Sequence, residues 1–314
     1  MIAFGPVPSR RLGRSLGVNN IPPKVCSYSC VYCQLGRTLQ MQVEREAFYA
    51  PEKIFQDVRE QVDKSRAAGE RIDYLTFVPD GEPTLDVNLG REIGLLRPLG
   101  IPIAVITNAS LIWRQDVRDD LMKADWVSLK VDSAREEVWR RTNRPHRTLQ
   151  LTSILDGALE FAKVFRGELA TETMLVEGIN DGDDQAREVA DFLARLRPAR
   201  AYLAIPIRPP AEAWVHPPTE EAINRIYQVF SQRLGHVECL TGYEGNAFAF
   251  TGDVEEDLLN ITAVHPMREE AVRDFLARTK ANWLIVNNLI AQGQLIELEY
   301  EGKRFYMRKL RKSR

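Results

Sequence analysis

Three of the chain's four cysteines fall between positions 26 and 33, as Cys26, Cys30 and Cys33. A loop this short folds most readily around one inorganic object. Thiolates are the usual ligands of iron–sulfur clusters, and three of them can hold three irons of a [4Fe–4S] cube. The fourth iron is then left without a protein ligand, and an open metal position marks a catalytic rather than a purely structural site. The competing readings are a zinc knuckle and three unrelated buried thiols. Zinc usually takes four protein ligands, and neither His nor Cys completes a set nearby, the next histidine being His146. Cys239 stands alone and is expected to pack as a small hydrophobe. One leftover cysteine cannot hold an auxiliary four-cysteine site, so the chain should carry a single cluster.

The spacing Cys26-x3-Cys30-x2-Cys33, with Tyr32 just before the last cysteine, resembles the cluster motif of the radical S-adenosylmethionine (SAM) enzymes. The resemblance implies that SAM chelates the open iron through its amino and carboxylate groups. An electron from the cluster then cleaves it to methionine and a 5′-deoxyadenosyl radical. It further implies an electron donor such as flavodoxin or ferredoxin, sensitivity to oxygen and a partial (β/α)6 barrel. The turn Pro79-Asp80-Gly81-Glu82-Pro83-Thr84 resembles the family's Gly-Gly-Glu motif, which receives the SAM amino group, with Asp80 in place of the first glycine. Read without the family, it is an ordinary turn.

The rest of the chain agrees with a barrel. Apolar β-rich runs at 15–20, 72–78, 101–107, 126–131, 169–176 and 201–207 alternate with helical periodicity at 51–68, 85–96, 113–123, 149–165, 183–196 and 219–234. Thr219 is placed to cap the last of these helices. Strands separated by helices imply a parallel sheet, because parallel neighbours need crossover connections. The fold class is therefore α/β, a partial (β/α)6 TIM-like barrel over residues 1–252. Residues 4–14, punctuated by Gly and Pro, read as an extended arm whose Arg10, Arg11 and Arg14 suit a phosphate or a carboxylate, or merely solvent.

Working residues of such barrels gather at the C-terminal ends of the strands. That rule selects Asp80, Gly81 and Glu82, then Asn108, then Ser128, Lys130 and Asp132, which alternate onto one face of their strand. Lys130 and Asp132 pairing with each other is the plainer alternative. Glu172 and Thr173 follow on the fifth strand. Family resemblance implies that the face of Ser128, Lys130 and Asp132 meets the ribose and carboxylate of SAM, leaves Glu172 and Thr173 as similar candidates for SAM or substrate, and gives Ile205 to adenine. Arg208 and Glu212, in a proline-braced loop, are candidates for substrate contact or simply for capping the barrel.

Beyond residue 252 the rhythm changes to helical patterns at 254–260, 268–278 and 282–291, then a strand pair at 295–300 and 304–309. This resembles a winged helix over 253–314. Its basic run, Lys303, Arg304, Arg308, Lys309, Arg311, Lys312 and Arg314, would suit a phosphate backbone, while the apolar third helix suits a protein. The barrel alone is expected to hold cluster and SAM. The net charge of −2 gives no global pull toward nucleic acid. The N-terminus has no signal-peptide pattern, and no apolar stretch approaches the roughly 20 residues of a membrane span, so the expectation is cytoplasmic, with no membrane partner. The lead-in at 8–17 and the stretch 32–36 look closest to an iron–sulfur oxidoreductase group related to the tRNA wybutosine-synthesising enzymes, which points to an RNA substrate. A peptide- or protein-modifying activase and a non-enzymatic iron–sulfur winged-helix regulator are the alternatives.

Overall fold

A computed structural model describes residues 2–242, 248–250 and 252–309. In chain order the strands are β1 (Ala3–Ser9), β2 (Gly13–Val18), β3 (Val25–Cys26), β4 (Gln40–Met41), β5 (Tyr74–Phe77), β6 (Ile103–Thr107), β7 (Trp126–Lys130), β8 (Glu168–Met174), β9 (Arg200–Ala204), β10 (Val237–Leu240), β11 (Met267–Arg268), β12 (Leu295–Tyr300) and β13 (Lys303–Arg308). The helices are α1 (Pro51–Ala67), α2 (Leu89–Leu96), α3 (Gln115–Leu121), α4 (Glu136–Asn143), α5 (Leu151–Val164), α6 (Asp183–Leu196), α7 (Glu220–Ser231), α8 (Val254–Val264), α9 (Glu269–Arg278) and α10 (Leu284–Ala291).

Eight strands form one curled half-barrel sheet in the order β1-β2-β5-β6-β7-β8-β9-β10. From β2 onward every pair is parallel, so the C-terminal ends of β5 to β9 open on the same side. Helices cover the outer face because their apolar stripes require it: Ile54, Val58 and Val62 on α1, and Val189, Leu193 and Leu196 on α6, are buried in the main core. Thr219 caps α7 by accepting from the Ala222 amide at 3.3 Å.

The two sheet edges depart from the sequence expectation. Residues 3–9 are not a free arm: β1 pairs antiparallel with β2. Pro6 and Pro8 are compatible with this because an edge strand does not need every N–H. At the other edge, β10 carries Cys239, whose side chain is exposed rather than packed.

Beyond the barrel, α8, α9 and α10 pack on a three-stranded sheet ordered β11-β13-β12. This unit shares its core with the barrel, since Phe4 and Val7 of β1 pack among Phe248, Leu258, Ile261 and Phe275. The hairpin tip is also engaged. Tyr300 Oη donates to the Pro206 carbonyl at 3.3 Å, and Glu301 lies 3.2 Å from His216. Arg304 faces Glu269 and Glu297 at 3.6 and 3.9 Å. The exposed face of α10 carries Leu284, Asn287 and Asn288 and no basic residue. Of the basic run, Arg304 is thus engaged in ion pairs and Lys303 and Lys309 are exposed, while Arg311, Lys312 and Arg314 lie outside the described residues.

A second acidic group sits beneath the 80–86 turn. Asn20, Asp86 and Glu92 are fully buried, and Asn20 Oδ1, Asp86 Oδ2 and both Glu92 oxygens lack a partner when both carboxyls are ionised. Two buried carboxyls in contact cannot both ionise. Burial, then the Asp86 charge, pushes the Glu92 carboxyl far above its ordinary range, so Glu92 keeps its proton. A group that binds its proton more tightly when folded stabilises the fold fully below its unfolded value, and that stabilisation is lost as pH rises through the folded value. Wild-type thermal midpoints should therefore fall between about pH 6 and about pH 9. In Glu92→Gln, whose amide replaces the carboxyl O–H as donor, that decline should be reduced; an equal decline in the two proteins would refute the shared proton.

Candidate active site at the cysteine loop

The cysteine loop leaves β2 and is closed at its base by β3 pairing with β4. Inside it, the Cys33 amide donates to the Cys30 carbonyl at 3.1 Å and the Gly36 amide to the Cys33 carbonyl at 3.0 Å. Gly36 takes a φ of +81°, a conformation open to glycine without strain. The outer side of the loop is held by the end of α4: Ser29 N donates to the Asn143 carbonyl at 3.1 Å and Val31 N to the Thr142 carbonyl at 2.9 Å. Ser27 and Ser110 hydroxyls meet at 2.6 Å, tying the loop to the end of β6.

The Asp80–Glu82 turn is pressed against the same loop. Lys24 N donates to the Asp80 carbonyl at 2.6 Å, and Glu82 N to the Val25 carbonyl at 3.2 Å. A Cβ on Gly81 would stand 1.9 Å from the Val25 carbonyl oxygen, so only glycine fits this crossing.

Together these segments bound a cavity of about 330 Å³ lined by Cys26, Cys30 and Cys33. Burial raises all three thiols, Cys30 to about 12. Asn108 Nδ2 lies 3.5 Å from Cys26 Sγ, and Asn143 Nδ2 lies 3.5 Å from Cys30 Sγ. These amide donors, with Lys24 and Lys130 acting on Cys33, favour the thiolate form that a metal requires. Among the described residues no three His, Cys, Asp or Glu side chains converge as ligands of a single ion. A cube ligated by one thiol per iron asks for no such convergence, and the donor set, three thiols lining one cavity, fits it.

The other expected residues divide by depth. Glu82 reaches the cavity, but four donors occupy it. Its Oε1 accepts from Thr84 N at 3.1 Å, Thr84 Oγ1 at 2.7 Å and Thr107 Oγ1 at 2.6 Å, and its Oε2 accepts from Asn108 N at 2.7 Å. A carboxylate offers about four lone-pair sites, so Glu82 acts as a bracket between the turn and β6. Asp80, in contrast, lines the cavity with a buried Oδ1 that has no hydrogen-bond partner. Burial pushes its carboxyl up to about 7 despite nearby Lys24.

On β7, Lys130 lines the cavity and stands 4.8 Å over the Tyr32 ring. It pairs with Glu172 in direct contact and with Asp132 at 4.0 Å. Burial alone would raise Glu172, yet Arg11 and Lys130 hold it down at about 2. Asp132 sits one layer back, accepting from Tyr32 Oη and from Asn143 Nδ2 at 2.7 Å. Ser128 is buried and does not line the cavity, and Thr173 spends its hydroxyl on the Val131 carbonyl at 2.8 Å. Ile205 does line it.

Of the arginines, Arg10, Arg11 and Arg208 border the cavity, whereas Arg14 pairs with Glu70 away from it. Glu212 braces the loop instead, binding Arg37 at 2.8 Å and also Arg144. Lys24, Gln34 and Asn143 were not singled out from the sequence. Lys24 and Gln34 flank the cysteines closely enough to have been suspected; Asn143 was hidden because α4 was not foreseen.

Residues 20–193 match the Radical SAM superfamily. A UPF0026 protein of Methanocaldococcus jannaschii is 51% identical over 312 residues, covering 99% of this chain and 97% of that one. Among solved structures, a radical SAM methyltransferase from Sphaerobacter thermophilus aligns with a TM-score of 0.57 at 18% identity, over 72% of this chain and 66% of that one. TYW1 with a lysine–pyruvate adduct bound aligns with a TM-score of 0.51 at 16% identity, over 70% and 74%. At these identities the structural likeness establishes the half-barrel fold. Among the described residues no helix is long and apolar enough to cross a membrane.

Proposed function

Because the chain belongs to the radical SAM superfamily, we propose that it is an enzyme holding one [4Fe–4S] cluster on Cys26, Cys30 and Cys33 and binding SAM in the adjoining cavity. The observation that carries this reading is the set of three thiols lining one cavity together with Asp80, Lys130 and Glu172. Bound there, cluster and SAM would supply one-electron reduction and radical chemistry at the substrate.

The chain's own residues orient the partners. Asp80, whose buried Oδ1 has no hydrogen-bond partner in the fold, is the carboxylate we assign to the SAM ammonium, with Gly81 allowing the turn to lie against the cysteine loop. Lys130, one of two cations neutralising Glu172, is the residue we assign to the SAM carboxylate. Tyr32 and Asp132 set the position of Asn143 beside Cys30, and Ile205 offers an apolar wall to adenine. Asn108 donates toward Cys26 and holds Glu82. Ser128 and Thr173 have no such role in this reading.

RNA is the substrate class favoured by the resemblance of residues 8–17 and 32–36 to the wybutosine-related group. An external one-electron donor of the flavodoxin or ferredoxin kind completes the system. Incubating the anaerobically reduced, iron-loaded protein with SAM should yield 5′-deoxyadenosine, and an RNA pool from the same source should raise its rate of formation. No 5′-deoxyadenosine under any reducing condition would favour an iron–sulfur regulator. Stimulation by a peptide pool but not by RNA would favour the protein-modifying class.

A further inference from the structure

The segment from Ile205 to His216 forms the side of the cavity facing the C-terminal unit, through Ile205, Pro206, Ile207 and Arg208. Three separate contacts fix it. On the cysteine-loop side, Glu212 N donates to the Val31 carbonyl at 3.1 Å while its carboxylate binds Arg37 and Arg144. On the far side, the hairpin tip reaches over, with Tyr300 Oη on the Pro206 carbonyl and Glu301 beside His216. Between them lies Arg208. One arm of its guanidinium donates to Gln34 Oε1 at 2.7 Å, and the other lies 2.9 Å from His265 Nε2.

His265 is the residue that ends α8, and it is buried, with its ring edge-on to Phe248 at 5.1 Å between centroids. Burial, with the Arg208 and Arg10 charges nearby, holds the His265 imidazole neutral. A neutral imidazole has one nitrogen free to accept, and a planar guanidinium can serve two acceptors at once in fixed directions. The result is a strap that runs from the C-terminal unit, through a cavity-wall residue, to the residue directly after Cys33.

We infer that His265 is a positioning residue: by accepting from Arg208 it locks segment 205–216 to the cysteine loop, so that the C-terminal unit is a structural part of the cavity and not a detachable appendage. This deepens the proposed function and rests on that reading of the cavity. It reverses the expectation that the barrel alone suffices, since removing residues past 252 would strip away both His265 and the hairpin tip and would uncover Phe4 and Val7.

The test uses the full chain with His265→Leu, His265→Gln and Arg208→Met. Amide hydrogen exchange is followed in segments 34–38 and 205–216 before any SAM is added, and SAM affinity is then measured on iron-loaded protein. His265→Leu and Arg208→Met should speed exchange in both segments by roughly tenfold or more, as expected for losing a hydrogen bond to a charged group, and should weaken SAM binding. His265→Gln, which keeps an acceptor, should restore both toward wild type. Unchanged exchange in both segments for His265→Leu and Arg208→Met would overturn the inference. So would acceleration spread evenly over α8 to α10 and the barrel in both variants, since that is plain loss of folding. The exchange arm needs neither SAM nor turnover, so its result stands even if the reading of the cavity as a SAM site fails.

Discussion

Replacing Cys30 with alanine should abolish iron loading, whereas replacing Cys239 should leave loading intact. Anaerobic reconstitution of the wild-type chain should give about four irons per chain, and each of Cys26, Cys30 and Cys33 is needed because each would ligate a different iron. The structure sharpens this contrast. Cys30 faces the cavity with Asn143 beside its sulfur, while Cys239 is exposed on the edge strand β10. Iron analysis and the visible absorption of the cluster decide the outcome. Full loading of the Cys30→Ala protein would remove the site from this loop.

The second large effect separates the two acidic residues of the 80–82 turn. Glu82→Ala leaves two backbone amides and two hydroxyls without the acceptor they share in the interior. Buried donors left unmade cost about 1–3 kcal/mol each, so unfolding free energy should drop by about 3 kcal/mol or more. Asp80→Asn keeps the shape but removes the charge next to an oxygen that has no partner in the fold. Its effect should fall on SAM instead, with affinity weakened about tenfold or more from the loss of a charge-assisted contact. Denaturant unfolding and a SAM titration read the two effects independently. If Glu82→Ala retained wild-type stability and lost SAM affinity while Asp80→Asn lost neither, Glu82 would be the ammonium receiver.

The cysteine loop was legible in the sequence because its chemistry is local: three thiols at fixed spacing need no knowledge of distant residues. The barrel strands were legible for a related reason, since largely buried parallel strands such as Ile103–Thr107 read as continuous apolar runs. The edges were harder. Gly5, Pro6 and Pro8 suppress the strand signal in β1, yet an edge strand tolerates them, and β10 is too short and too polar to stand out. Side-chain roles were the least legible, because they depend on convergence across the fold. Nothing local shows that Thr84, Thr107 and Asn108 all turn toward Glu82. Alternation put Ser128, Lys130 and Asp132 on one face, but it does not say that Lys130 reaches the cavity while Asp132 lies behind Tyr32. The partnership of Arg208 with His265 joins residues that no spacing rule connects.

The electron paramagnetic resonance spectrum of the reduced, iron-loaded chain, recorded with and without SAM, tests most directly whether this cavity is a cluster and SAM site. A [4Fe–4S] signal whose shape changes on adding SAM is expected for wild type, because the fourth iron is open to a new ligand. The change should require higher SAM concentrations in Asp80→Asn. A spectrum indifferent to saturating SAM would contradict the account, leaving Cys26, Cys30 and Cys33 as ligands of a cluster with no open position.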